Sequence, residues 1–271
     1  MTPTLGSHRF MPARSTPAPR FRVRTIVVLA CGAAILIAGC STGPLVVHPS
    51  SGPSGQPPAS SQPPGLSAQP GSHVATARLG LRRSATLDVV NGATSISVAA
   101  AKLGPELLRV STPPDSGIRP DLVIGNSVQL YLDATGGNGP AAVQVVLNAA
   151  VTWRLLFAGG ANQTTADLSG GRFAGADFAA GSSLITMTLP RPAGTTTVQL
   201  AGGSSQVSVG LPAGVPAQLR LLGGASSANL LGHTYTGIAG GTVLTSPGWP
   251  GARARYLINA PAGVSTINVT D

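Results

Sequence analysis

The sequence predicts an all-β fold: a single β-solenoid behind an N-terminal export segment and a linker. Three observations carry this. After residue 72 the chain is a series of short alternating segments split by Gly-rich turns, and none keeps a helical period. Glycine anchors recur at Gly160, Gly181, Gly203 and Gly224, spaced by 21, 22 and 21 residues. Aligned on those anchors, apolar and polar residues fall into separate columns.

Composition narrows the function. Only 9% of the 271 residues are charged, against about 25% in an ordinary soluble domain. Gly 36 and Pro 24 are high counts, but no G-X-Y period accompanies them, so collagen is excluded. Aromatic residues are 4% of the chain, too few for a large aromatic-lined pocket. Much of the net charge of +9 sits in Arg9, Arg14, Arg20, Arg22 and Arg24. From residue 40 onward 12 basic residues face 8 acidic ones, dispersed apart from Arg82-Arg83. A nucleic-acid binder needs a basic patch with stacking aromatics, so no nucleic-acid partner is expected.

Residues 1–39 read as a signal peptide. Basic residues through Arg24 precede a 15-residue apolar run, Thr25 to Gly39. A spanning helix needs about 20 residues, so a short transmembrane anchor is the weaker reading. Met11 offers an alternative start. The run ends in Leu36-Ile-Ala-Gly-Cys40, which resembles the lipobox of bacterial lipoproteins. The resemblance implies cleavage between Gly39 and Cys40 by signal peptidase II. It also implies diacylglyceryl and palmitate-type acylation at Cys40, and a lipid-anchored place on the extracytoplasmic face of the cell membrane. Cys31 would be removed and Cys40 blocked, leaving no disulfide and no Cys-based metal site.

Residues 40–72 read as a disordered linker. Ser41 to Ser72 holds 8 Pro, 8 Ser and 5 Gly and no charged residue. It would reach about 100 Å as polyproline II or about 30 Å as a flexible coil, lifting the next domain off the membrane.

Residues 73–271 read as the solenoid. Gly92, Gly139 and Gly263 extend the anchor series, with degenerate units expected around Gly117 and Gly241. Four residues after the anchors stand Ile96, Val143, Thr164, Ile185, Val207, Ala228 and Ile267. Six after stand Val98, Val145, Ala166, Met187, Val209, Leu230 and Val269. Between them runs a polar column: Ser97, Gln144, Thr165, Thr186, Ser208, Asn229 and Asn268. Phe157, Phe178, Leu200 and Leu221 form a further apolar column before the anchors. Period-2 alternation means one face in and one face out, and stacking is what buries the inner face. Glycine suits the corner through positive φ and close coil approach. Seven to nine coils are expected, the number within 100–135 being open; a β-sandwich or meander with coincidental glycine spacing is the rival reading. Ile267 and Val269 lie in the last segment, so an open C-terminal edge is expected, where a partner strand or a second copy would pair as a homodimer.

The Gly-Gly-(Ala/Ser)-Ser turns, Leu211-Pro-Ala-Gly-Val-Pro216 and Ser246-Pro-Gly-Trp249 resemble the toast-rack or adhesin-like β-solenoid domains of unknown function. Those are similar to the C-terminal domains of cell-wall-active-antibiotic response proteins. The resemblance implies a role in envelope-stress sensing and carries no catalytic residue.

The chemistry-bearing residues are sparse. No HExxH, CxxC, Walker A or GxSxG motif occurs, and no cofactor or metal is expected. His48 and His73 lack partner ligands at sensible spacing, and His233 reads as a surface turn residue. Asp167 and Asp177 face outward from different columns, unlike the paired carboxylates of glycoside hydrolysis. Trp153 and Trp249 read as packing residues, or for Trp249 as a sugar-stacking platform. The expected function is a non-enzymatic, lipid-anchored extracytoplasmic binding or scaffold module at the cell envelope, with an unidentified envelope protein or glycan as partner. The alternative is a glycan-binding or glycan-active surface protein.

Overall fold

The structure, a computed structural model, describes residues 66–67 and 73–271. Cys40, His48 and the export segment lie outside the described residues. The described residues contain no helix. Short strands form two sheets, and from β3 onward each coil gives one strand to each. The chain enters through β1 (Leu66–Ser67) and β2 (Val74–Arg78), which pair antiparallel. β3 (Ser84–Val89) and β4 (Ala93–Ala101) make the first full coil. β5 (Glu106–Ser111) and β6 (Ile118–Ile124) run in reverse, and β7 (Val128–Ala134) with β8 (Ala142–Asn148) resumes the forward direction.

Four forward coils follow. They are β9 (Thr152–Phe157) with β10 (Ala161–Asp167), and β11 (Arg172–Phe178) with β12 (Ser182–Thr188). Then come β13 (Thr195–Leu200) with β14 (Ser204–Gly210), and β15 (Ala217–Leu221) with β16 (Ala225–Leu230). β17 (His233–Ile238) and β18 (Thr242–Thr245) reverse again. β19 (Arg255–Ala260) and β20 (Val264–Thr270) complete the stack.

The long sheet runs β1-β2-β5-β8-β4-β10-β12-β14-β20-β16-β17, and the short sheet β18-β15-β19-β13-β11-β9-β3-β7-β6. The stack is therefore not in sequence order. Coil β7/β8 lies outside β3/β4, and the last coil, β19/β20, is inserted between β13/β14 and β15/β16. The expectation of an open C-terminal edge is corrected: β20 pairs with β14 on one side and β16 on the other. The segments around Gly117 and Gly241 do form coils, but reversed, antiparallel ones: β17/β18 ends both sheets, whereas at the other end β6 ends the short sheet and β5 is followed by β2 and β1. At one end reversal puts the mostly exposed β17 and the four-residue β18 at the sheet edges, in place of forward strands that would template further parallel pairing.

The predicted columns stand as ladders. Val143, Ile96, Thr164, Ile185, Val207, Ile267 and Ala228 are successive partners across the long sheet, and all are buried. Burying each Val or Ile contributes about 1.5–3 kcal/mol. In the short sheet Val89, Phe157, Phe178 and Leu200 align, and the Phe157 and Phe178 rings stack with centroids 4.6 Å apart. The core is the space between the two sheets.

Two edges join the sheets. At the glycine edge the turns hydrogen-bond coil to coil: Ser182 N–H donates to Gly203 O at 3.2 Å, and Ala161 N–H to Gly181 O at 3.3 Å. Close approach, not positive φ, demands glycine at most of these turns. A Cβ on Gly92 would stand 2.6 Å from Gly160 O, and one on Gly202 2.2 Å from Ala180 C. Among Gly92, Gly139, Gly160, Gly181, Gly203, Gly224 and Gly263, only Gly224 has a positive φ; Gly241, in the reversed cap, has one too. The opposite edge, here the return edge, holds the turns that lead from the long sheet back to the short one. Leu66–Ser67 pair with Ala77 and Thr76, so a strand exists inside the stretch expected to be linker.

Candidate functional site

The outer face of the long sheet is the most regular surface of the domain. Its central column is Gln144, Ser97, Thr165, Thr186, Ser208, Asn268 and Asn229, each the register partner of the next. A parallel column holds Ser95, Gln163, Leu184, Gln206, Thr266 and Ser227. Side chains in each column repeat at the strand spacing of about 4.8 Å. From β8 across to β16 the strands of this sheet carry one charged residue, Asp167, at the margin. The hydroxyls and amides make some bonds to one another: Ser227 Oγ donates to Thr266 Oγ1 at 3.2 Å, and Asn229 Nδ2 to Thr234 Oγ1 at 3.2 Å.

A groove follows the glycine edge beside this face. One section of about 600 Å³ is lined by Gly160, Asn162, Gly181, Ser183, Gly203 and Ser205. A second of about 490 Å³ continues over Gly223, Ser226, Gly263 and Ser265. It exists because Gly160, Gly181, Gly203, Gly223 and Gly263, which line it, carry no side chain. Asn162, Ser183, Ser205, Ser265 and Ser226 are exposed along it. Beneath it the Ser204 hydroxyl is buried and makes no hydrogen bond. The arrangement offers neutral donors and acceptors at a regular pitch to an extended ligand. It sets no nucleophile beside a base.

The residues singled out from sequence are not brought together. Asp167 lies on β10 in the long sheet, between Ala99 and Thr188. Asp177 lies on β11 in the short sheet, between Leu156 and Gln199. They belong to different sheets and form no catalytic pair. Asp167 Oδ1 instead accepts from Ser169 N and Oγ in a local turn. Asp177 is half-buried, with one carboxylate oxygen unpaired, rather than simply solvent-facing. His73 shares a 2.7 Å hydrogen bond with Thr112 Oγ1, and His233 is exposed at the start of β17. Among the described residues no group of three or more His, Cys, Asp or Glu side chains converges.

Trp153 is core: it is buried, and its Nε1 donates to Asn148 O at 3.0 Å. Trp249 is half-exposed, with the Arg255 guanidinium 4.7 Å from its ring centroid. Arg255 Nη1 also donates to Trp249 O at 2.8 Å, pinning the loop. Sequence reading missed Asn148, a buried amide whose Nδ2 donates to Gly104 O and Glu106 O. It missed Tyr256 as well, whose hydroxyl donates to Pro190 O at 2.7 Å. Burial pushes the Tyr256 phenol above its ordinary range. Beside Glu106, the Arg109 guanidinium is raised by hydrogen bonding and charge.

No protein-family model and no curated protein matches the chain. Among solved structures, it is similar to one described as a "putative cell adhesion protein" from Clostridium sporogenes. The identity is 15%, covering 73% of this chain and 97% of that one, with a TM-score of 0.57. A second likeness, to a "putative adhesin" from Bacteroides fragilis, has 15% identity over 72% of this chain and 96% of that one. Its TM-score is 0.24, which carries no weight. The first likeness is one of fold.

Proposed function

We propose that this protein is a lipid-anchored binding module on the extracytoplasmic face of a bacterial membrane, held by acylated Cys40 and engaging its partner through the outer face of the long sheet. The observation that carries the reading is that face: one neutral hydroxyl and amide column continuous across seven forward strands, beside a groove of small residues. A scaffold or recognition role in the envelope fits it, including the sensing of envelope stress, and no chemical step on the partner is invoked. The cell-adhesion description borne by a protein of similar fold supports a surface role.

The uncharged array also favours a glycan as the partner, because sugar hydroxyls both donate and accept and need no counter-charge. Co-sedimentation of the full-length protein with purified peptidoglycan or arabinogalactan-type glycan distinguishes the glycan from a protein partner captured by crosslinking on intact envelopes. Thr186→Glu with Ser208→Glu should abolish either interaction while leaving folding intact. Unchanged binding by that variant rejects the long-sheet face as the site. A palmitate-analogue label that persisted in Cys40→Ala would reject the anchor.

A further inference from the structure

The charges of the domain are not dispersed in space as they are in sequence. Of the 12 Lys and Arg after residue 72, eight lie at the return edge. Arg78, Arg82 and Arg83 flank the turn between β2 and β3, and Lys102 lies in the next. Arg172 and Arg191 follow along the stack, and Arg253 and Arg255 belong to the Trp249 loop. Three carboxylates share this edge, Glu106, Asp167 and Asp271, and Glu106 is already paired with Arg109. The rest of the domain holds four cations and five carboxylates. The edge is therefore strongly basic and the remainder close to neutral.

Two apolar groups project among those cations. Leu81 is 100% exposed. It is thrust outward by a tight turn in which Gly80 has φ +56° and Arg82 N–H donates to Leu79 O at 3.3 Å. A fully exposed Leu between a turn glycine and two arginines has nothing to bury it in the domain. Trp249 stands half-exposed in the loop that leads into β19, which starts at Arg255 beside Thr195. Basic residues with an exposed Leu and an interfacial Trp are the side-chain set that adsorbs to anionic bilayers.

The start of the described chain gives the third observation. Leu66 pairs with Ala77 in antiparallel sense, next to Arg78, so β1 enters the domain at the return edge. We infer that the return edge docks on anionic phospholipid headgroups, with Leu81 and Trp249 entering the headgroup layer. This rests in part on the lipid-anchor reading. It places the glycine-edge groove on the side away from the membrane.

The test uses the full chain and vesicles of brominated phosphatidylcholine, with or without brominated phosphatidylglycerol. Trp153 is buried, so bromine quenching of tryptophan fluorescence reports Trp249. Quenching is expected with phosphatidylglycerol present, weak without it, and reversed by salt. Arg78→Ala with Arg83→Ala should weaken docking about thirtyfold, at roughly a factor of five per cation. Arg154→Ala with Arg220→Ala, the same charge change on the short sheet's outer face, should leave it unaltered. Quenching that ignores lipid charge or salt, or that falls equally in both double variants, overturns the inference. So does salt-sensitive capture of soluble polyphosphate without quenching by the vesicles, which would make an acidic polymer the partner. Retention on neutral vesicles reads the anchor separately: loss there, with docking to anionic vesicles intact, removes the lipid anchor and keeps the edge.

Discussion

Val207 and Ile267 are register partners in adjacent parallel strands, although 60 residues separate them in sequence. Both are fully buried. The 38 residues between Ile267 and Ala228, its partner on the other side, contain a reversed cap and a loop. The last coil therefore closes a gap left by earlier ones, and the domain is completed from its interior rather than from its end.

The register predicts opposite outcomes for neighbouring residues. Val209 is 1% exposed in an apolar column, whereas Ser208 points outward between Thr186 and Asn268. Val209→Asp buries a charge without a partner and should destabilise by on the order of 4 kcal/mol. Ser208→Asp should cost about 0.5 kcal/mol or less. Thermal melting of the two variants checks this, and equal shifts would reject the register.

Adjacent glycines should also respond differently. A Cβ at Gly202 would meet the backbone of Ala180 and Gly181 at 2.2–2.4 Å, which no side-chain movement relieves. Gly202→Ala should cost about 3 kcal/mol. At Gly203 the nearest atom, Gly263 O, is 3.7 Å from the added carbon and φ is not positive. Gly203→Ala should be neutral or stabilising by about 0.5 kcal/mol, since it restricts the unfolded chain. Denaturant midpoints compare them directly.

The alkaline limit should carry a Tyr256 component. Its phenol is buried and donates to Pro190 O, so the folded state holds the proton more tightly than the unfolded chain does. The folded pKa is raised, so the contribution is complete below the unfolded value of about 10 and is lost as pH rises beyond it. Stability followed from neutral pH to above pH 10 should fall on that limb. Tyr256→Phe should lose about 1 kcal/mol at neutral pH and show less of the alkaline fall. Identical alkaline slopes would contradict the assignment.

Much of the fold was legible in sequence because alternation and small-residue turns are local. Ile185, Thr186 and Met187 state their own facing, and the ladders follow from aligning such triplets. The stacking order was not legible. Segment 264–270 carries the same pattern as segment 204–210, and nothing within it tells whether it lies at an end or between two earlier coils. Reversal of β5/β6 and β17/β18 was hidden for the same reason, since an alternating strand reads alike in either direction. The glycine anchors were found for a reason that was only half right: contact between segments, absent from any local window, excludes a Cβ at Gly92 and Gly139 but not at Gly203. The polar face could be read as columns, but the basic edge could not. Arg83, Lys102, Arg172 and Arg191 are far apart in sequence and meet only when the coils stack.

Every surface assigned above depends on where β19/β20 sits, and a disulfide ruler measures it. In a chain with Cys31→Ser and Cys40→Ser, two outward pairs are compared under mild oxidation. Ser208→Cys with Asn268→Cys places the thiols on neighbouring strands, and Ser208→Cys with Asn229→Cys places them two strands apart, with Asn268 between. A disulfide needs Cα atoms within about 7 Å, and strands are about 4.8 Å apart. The first pair should form an intramolecular bond, and the second should not. Efficient bonding of the second pair, with none in the first, would mean that the coils stack in sequence order and that the interior placement of the last coil is wrong.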